Sequence, residues 1–300
     1  MIATPVRGSN LYGTHMKTFL VAVIAALALG RASAQVTVEV TLDQEQFLPS
    51  ESVPVAVKIT NRSGQSLHLG TELDWLTFSV ESADSSVVIK NSEVPVLGEF
   101  DLESSQQAIK RVDLQSHFAM NKQGRYKIVA TLRIKAWAAS VASPPKAFDV
   151  INGANLWAQD FGVPTGTNTA PEVRKYTLEQ ANYLRSQLRL YLQVSDAAQS
   201  RVYRVEALGP MVSFSQPEAQ VDRVSQLHVL WQAGAQMFAY CLISPNGTVL
   251  QRESYDNFTS RPRLTVNEGG DVLVVGGTRR MHPAELPMVK SPIELPAPRR

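Results

Sequence analysis

Alternation of apolar and polar residues with a period of two is the dominant pattern of this chain, and it is densest between residues 226 and 277. Such alternation is typical of half-buried strands. Turn sequences separate the apolar runs, notably Ser244-Pro245-Asn246-Gly247, whose residues favour tight turns. The region therefore predicts an antiparallel meander and a second hairpin. The predicted strands are Gln226–Ala233, Gln236–Ile243, Thr248–Tyr255, Arg263–Val266 and Asp271–Val275.

Seven further short strands are predicted in the first half of the chain, with turn signals between them. This arrangement predicts an antiparallel β-sandwich over residues 35–152. The predicted strands are Val36–Leu42, Val53–Ile59, Trp75–Glu81, Ser86–Lys90, Ala108–Leu114, Arg125–Ile134 and Lys146–Ile151.

Two motifs in this half carry a family resemblance. Gln46-Phe47-Leu48-Pro49-Ser50-Glu51, followed by a strand and Asn61, and then Gly124-Arg125-Tyr126 resemble bacterial immunoglobulin-like (Ig-like) domains over about residues 36–152. Macroglobulin-type modules and the BsuPI-type proteinase-inhibitor domain share this layout. Such families usually have glycine where this chain has Ser50. Tyr126 resembles the tyrosine corner, which is a stabilising device. The resemblance implies a fold and transfers no functional residue.

The second half predicts another antiparallel β domain, residues 174–280, joined to the first by a connector over residues 153–173. Trp157 and Phe161 predict that the connector packs on a domain. Leu178–Arg189 fits a strand or a helix, and both alternatives stay open. A complete propeller is excluded because the chain holds at most two blades. The added strands are Arg174–Ala181, Gln187–Val194, Arg201–Leu208 and Met211–Ser215.

The N-terminus predicts export. Met16-Lys17, the apolar run Phe19–Leu29 and Ala32-Ser33-Ala34 have the order of a secretory signal peptide, which makes residues 1–15 an over-extended start and Gln35 the first mature residue. Eleven apolar residues are too few to cross a bilayer, so no transmembrane anchor is expected after cleavage. The short signal predicts a bacterial protein of the periplasm or extracellular space. The Pro-rich tail, residues 281–300, predicts extended or disordered chain.

Charge and cysteine content narrow the classes of function. Cleavage would shift the formal charge from +2 to −1, which leaves no basic surplus for nucleic acid. Cys241 is the single cysteine, so no internal disulfide forms. Cys241 and His228 would make a cysteine-dependent hydrolase, but apolar neighbours on the strand favour a buried, inert thiol.

No cofactor or metal site is predicted. The histidines His68, His117, His228 and His282 lack the spacing of zinc ligands. Glu99, Asp101 and Glu103 alternate and would present carboxylates to calcium, although a solvated edge is the commoner interpretation. The four tryptophans would supply a sugar-stacking platform or, more often, core packing. These are Trp75, Trp137, Trp157 and Trp231.

One polar loop is the candidate contact site. Tyr255, Phe258, Arg261 and Arg263 lie in the sequence YDNFTSRPR. The resulting hypothesis is an exported, non-catalytic binding or scaffolding protein whose partner is a protein or glycan of the envelope. A proteinase inhibitor acting through an exposed loop is the alternative, and a hydrolase using Cys241 is the least favoured.

Overall fold

The computed structural model describes residues 35–84, 86–163, 172–184 and 186–281. The chain divides into two compact units, Met1–Val150 and Ile151–Arg300. Strands dominate both, and the described residues contain no α-helix, which confirms the predicted all-β class. None of the described segments is a helix long and apolar enough to cross a membrane. The predicted signal peptide and the predicted tail after Met281 lie outside the described residues.

Three sheets form the first unit. One has the order β1-β3-β7, the second has the order β2-β10-β8-β5 with β9 also pairing with β8, and β4 pairs with β6. Alternate residues of β3 and β8, such as Val57, Ile59, Ile128 and Leu132, are fully buried. Each such side chain contributes about 1.5–3 kcal/mol through burial. The strands are β1 (Val36–Leu42), β2 (Gln46–Phe47), β3 (Pro54–Asn61), β4 (Leu67–Leu69), β5 (Leu76–Ser82), β6 (Phe100–Leu102), β7 (Gln107–Asp113), β8 (Gly124–Ile134), β9 (Ala139–Ala142) and β10 (Lys146–Val150).

The chain changes sheet between β1 and β2. β1 pairs antiparallel with β3, whereas β2 pairs parallel with β10 in the other sheet. The following turn is fixed by the buried Glu51, whose carboxylate accepts hydrogen bonds from the Leu48 N–H and the Gln44 amide, both at 2.7 Å. After the change of sheet, β2 pairs with β10 and not with β9. Among the described strands, β9 therefore pairs only with β8.

Local details of this unit agree only partly with the sequence predictions. The Tyr126 hydroxyl donates to the Lys122 carbonyl at 2.7 Å, as a tyrosine corner does, and burial raises the pKa of this phenol. Ser50 has a φ of +64°, in the left-handed region that glycine favours. The predicted strand Ser86–Lys90 is wrong, because this segment forms one isolated bridge, Lys90 to Phe118.

The second unit has three layers. Sheet β11-β12-β13-β14 packs on sheet β15-β16-β17-β18-β21 through a core that includes Tyr176, Leu192 and Trp231. The hairpin β19-β20 covers the other face of the second sheet near Phe238 and Tyr240. The strands are β11 (Ala154–Val163), β12 (Glu172–Leu184), β13 (Gln187–Asp196), β14 (Val202–Pro210), β15 (Glu218–Val221), β16 (Leu227–Gln232), β17 (Met237–Ile243), β18 (Val249–Asp256), β19 (Arg263–Val266), β20 (Val272–Val275) and β21 (Thr278–Arg279).

The structure decides the ambiguous segments of this half. Leu178–Arg189 belongs to the β12-β13 hairpin and not to a helix. Much of the predicted connector is strand β11, and its Phe161 ring stacks on Tyr176 with centroids 3.8 Å apart, inside the core of the second unit. Met211–Ser215, predicted as a strand, is irregular, and β15 follows it instead.

Candidate functional site

A cavity of about 730 Å³ lies in the first unit between the start of β1 and strand β9. It exists because β1 belongs to one sheet and β9 to the other, so their edges face each other without pairing. We call it the edge groove. Its size falls within the range of about 300–1,000 Å³ that is usual for ligand sites.

Apolar side chains form one part of the edge groove. Val36 of β1 is buried, and Val141 of β9 is half-buried against the core. Trp137 belongs to a short 3₁₀ turn, Lys135–Trp137, that joins β8 to β9, and it is also half-buried. The groove therefore offers apolar contact surface that is still partly open to solvent.

Polar residues of the turn after β3 form another part of the groove. Ser63 and Gln65 line it, and the fully buried Asn61 holds them in place. The Asn61 amide donates to the Gln65 carbonyl at 2.7 Å and to the Leu102 carbonyl at 2.8 Å. Its oxygen accepts from the Ser63 N–H at 3.0 Å and from the Ser63 hydroxyl at 2.7 Å. One buried amide thus fixes the polar rim.

The outer edge of β9 exposes main-chain hydrogen-bonding groups. The Arg133 N–H donates to the Trp75 carbonyl at 2.7 Å, away from β9. Ser140 lies opposite Arg133, so this is a non-hydrogen-bonded pair and the N–H and C=O of Ser140 point away from β8. Ala142 has the same orientation opposite Thr131. No described strand pairs with this edge.

The side chains that line the edge groove are uncharged. None of the described lining residues has an ionisable side chain, although cleavage before Gln35 would add an α-amino group at the end of the groove where β1 begins. Beside Val36, Trp137 and Val141, a charged ligand group would lose hydration without gaining a counter-charge, whereas amides and small apolar groups find matching partners. This part of the groove suits a neutral ligand group.

The predicted contact loop is only partly at the surface. Tyr255 is 9% exposed and packs with Phe238 and Tyr240, and its hydroxyl donates to the Glu253 carboxylate at 2.5 Å. Phe258 and Arg261 are exposed, and the Arg261 guanidinium lies 5.3 Å from the centre of the Phe238 ring. Tyr255 therefore supports the loop from inside.

Arg263 is exposed at the start of β19. Of the four predicted contact residues, Phe258, Arg261 and Arg263 are thus exposed, and Tyr255 is buried.

Cys241 and His228 lie on opposite faces of one sheet. Cys241 is paired with Val229, so its side chain shares the face of Val229, while His228 points to the other side. Burial raises the pKa of the Cys241 thiol to about 11. His228 bonds instead to the Tyr240 hydroxyl through Nδ1 at 2.9 Å and to Asp222 through Nε2 at 3.4 Å. The arrangement provides no base for the thiol.

The acidic residues proposed for calcium are engaged with other side chains. His68 Nδ1 lies 2.6 Å from Asp101 across the β4-β6 pair, and His68 Nε2 bonds to Glu99. These two bonds raise the pKa of His68, that to Asp101 most. Glu103 accepts from the Ser66 hydroxyl at 3.1 Å. Within the described part of the chain, no group of three or more His, Cys, Asp or Glu residues is arranged to hold a metal ion.

The tryptophans divide between core and groove. Trp75 and Trp231 are buried, and their ring N–H groups donate to the Val96 and Pro210 carbonyls. Trp157 is half-buried beside the core of the second unit. Trp137 is the residue of this set that lines the edge groove, whereas the sequence offered it only as one of four tryptophans for a sugar-stacking platform, with core packing as the favoured interpretation.

The groove residues were missed because their sequence signal is weak. The segment from Trp137 to Ser143 is short, uncharged and rich in alanine and serine, and it ends at Pro144-Pro145. An uncharged alternating segment next to a Pro-Pro break would indicate an interrupted edge strand.

Comparisons with known proteins add little. No family model matches the chain, and no curated protein matches it. Among solved structures, the chain is similar to Spo0M, a sporulation control protein from Bacillus subtilis, at 10% identity and a TM-score of 0.30. The match covers 56% of this chain and 82% of that one. The structure describes an all-β protein of two units, and the edge groove lies in the first unit.

Proposed function

We propose that this protein is an exported, non-catalytic binding module of the bacterial envelope or extracellular space, and that the edge groove is its ligand site. The observation that carries the proposal is the groove itself. It combines an apolar surface, a polar rim anchored by Asn61 and a free strand edge at β9. Ligand sites commonly combine an apolar surface with a few placed polar groups, and exposed sheet edges bind extended segments of other chains.

Two further observations support the proposal. The pairing of β1 with β3, of β2 with β10 in parallel, and of β8 with both β5 and β10 is in keeping with an Ig-like domain, a fold often used for binding. The separation of Cys241 from His228 by a sheet supports a role without a cysteine nucleophile. Export rests on the N-terminal sequence, and the inhibitor alternative rests on the BsuPI resemblance.

Blocking the groove tests the proposal. The full chain and its Ala139→Trp variant would be immobilised and used to capture proteins and glycans from an envelope extract. Ala139 lines the groove, so the added indole should fill it and abolish capture. Val87→Trp is the matched control, because Val87 is 88% exposed and lies outside the groove. Capture that survives Ala139→Trp would remove the groove as the ligand site.

Localisation needs a separate measurement. We expect the protein in the periplasm or the medium, with Gln35 at its N-terminus by sequencing of the recovered chain. Recovery from cytoplasm alone would contradict export.

A further inference from the structure

Strand β9 is an unfinished edge. Its Ser140 and Ala142 direct N–H and C=O groups away from β8, toward the edge groove, where no described strand pairs with them. An extended peptide backbone carries the complementary donors and acceptors, repeating every second residue. We propose that the edge groove binds an extended, uncharged peptide segment of a partner protein, which adds to β9 as a further strand. This inference rests on the proposed function and specifies its ligand.

The side chains of the groove determine the pattern of the peptide. In an added strand, alternate side chains point to opposite faces of the sheet. One set would face Val36, Trp137 and Val141, and the other set would face solvent. Apolar residues at every second position of the peptide would therefore fill the groove, while main-chain bonds to β9 supply affinity that does not depend on sequence.

Charge complementarity identifies the class of peptide. The described lining side chains carry no ionisable group, so a Lys, Arg, Asp or Glu directed at Val36, Trp137 or Val141 would be desolvated without a partner. The inward-facing positions of the peptide must be neutral. Ser63 and Gln65 at the rim offer hydrogen bonds to neutral polar groups at the end of the groove.

Peptide selection on the full chain provides the test. A phage-displayed library of linear seven-residue peptides would be selected against the purified protein, and the recovered peptides synthesised. We expect neutral peptides with apolar residues at alternate positions, whose binding is lost in Ala139→Trp and kept in Val87→Trp. N-methylation of the amides that face β9 should weaken binding at least about tenfold, since each loses a hydrogen bond and gains a clash. N-methylation of the intervening amides should change affinity by less than about twofold.

A matched pair of variants tests the same contact from the protein side. Ser140→Pro removes the outward N–H, while the pairing with β8 stays possible because this group does not take part in it. It should weaken peptide binding at least about tenfold, whereas Ser140→Ala, which removes only the hydroxyl, should keep binding within about twofold. If Ser140→Pro fails to fold, the methylated peptides on the unaltered protein still decide the question.

The outcomes separate the two proposals. Peptides that are lost in Ala139→Trp but tolerate N-methylation and Ser140→Pro would overturn strand addition and leave the groove as a binding site. Selection of no peptide, or of peptides indifferent to Ala139→Trp, would also overturn strand addition. In that case, groove-dependent capture of a glycan from the extract would still support the proposed function, and groove-independent capture would end both.

Discussion

Strand edges are treated differently in the two units. In the first unit, the outer groups of Ser140 on β9 face a groove lined by uncharged side chains. In the second unit, β14 is also an edge strand, and the register with β13 skips its residue Leu208. There the Arg252 guanidinium donates to the Leu208 carbonyl at 2.5 Å and approaches the Ala207 carbonyl at 3.5 Å.

This difference indicates where the chain avoids pairing and where it permits pairing. Proteins commonly protect sheet edges with charged side chains, because an open edge pairs with other chains. Arg252 and its neighbours Arg204 and Glu206 provide such protection beside β14. The β9 edge has no charged residue within Ala139–Ala142. The unprotected edge is the one beside a cavity of ligand size, which is consistent with use in binding.

The largest expected effect comes from the anchor of the groove rim. Asn61→Ala removes four hydrogen bonds from a fully buried side chain and should lower the free energy of unfolding by about 3 kcal/mol. Urea denaturation of the full chain measures it. Ser63→Ala is the control, because Ser63 lies at the rim and its loss should amount to about 1 kcal/mol or less. Equal losses would show that Asn61 is not the anchor.

The second-largest expected effect on stability comes from Arg252, which protects the edge of β14. Arg252→Met keeps the apolar stem of the side chain but leaves the buried carbonyl of Leu208 without its donor, so stability should fall by about 2 kcal/mol. We also expect self-association, measurable by analytical ultracentrifugation. Arg204→Met removes an exposed ion pair on the same rim and should change stability by less than about 1 kcal/mol. A variant of Arg252 that stays monomeric and stable would remove the contrast between the edges.

The interior of the second unit should be closed to reagents, in contrast to the edge groove. Cys241 is 1% exposed, and burial raises its pKa from 9.0 to about 11. Between these values the unfolded chain loses the thiol proton and the folded chain keeps it, so folding stability should fall as the pH rises from 9 to 11. The Cys241 contribution to this loss should be on the order of 2 kcal/mol. Cys241→Ala should lose correspondingly less stability over this range, and the loss that remains should come from buried tyrosines with raised pKa values, such as Tyr176 and Tyr240.

Thiol labelling gives an independent measurement of the same closure. A maleimide should modify Cys241 only after denaturation. Rapid modification of the native protein at pH 7 would contradict the buried position and reopen the hydrolase hypothesis.

Much of the fold was predictable because alternation reports burial directly. Arg125–Ile134 was predicted as a strand and is the body of β8. The errors have local causes. Ser86–Lys90 has apolar residues, but Val87 and Ile89 are exposed and the segment lacks a partner strand. The Gly-, Asn- and Thr-rich composition around β11 indicated a connector, and tertiary packing of Phe161 on Tyr176 made it a strand.

The candidate site was not predictable in the same way. The edge groove depends on β1 and β9 lying in different sheets, and no periodicity within Val36–Leu42 or Ala139–Ala142 contains that information. The contact loop was predicted from local sequence alone. Both Tyr255 and Phe258 were predicted as contact residues, but Phe258 is exposed and Tyr255 is buried. Polarity marks a loop, but only packing shows which of its aromatic side chains faces solvent.

The smallest expected effect compares two serines, one in each unit, that share a left-handed backbone. Ser50 has a φ of +64° and Ser225 a φ of +63°. The Ser50 hydroxyl makes a long, exposed contact of 3.5 Å to Asn121, whereas the Ser225 hydroxyl donates to the Gly162 carbonyl at 2.6 Å. Ser50→Gly should raise stability by about 0.5–1 kcal/mol, because glycine relieves the strain and little is lost.

Ser225→Gly relieves the same strain but loses a good hydrogen bond, so its net change should be close to zero or unfavourable. Thermal unfolding of the two variants beside the unaltered chain measures the difference. If Ser225→Gly were the more stabilising of the two, side-chain bonding would not be what retains serine in these turns. Ser50 would then be retained for a reason other than local conformation, within the turn between β2 and β3.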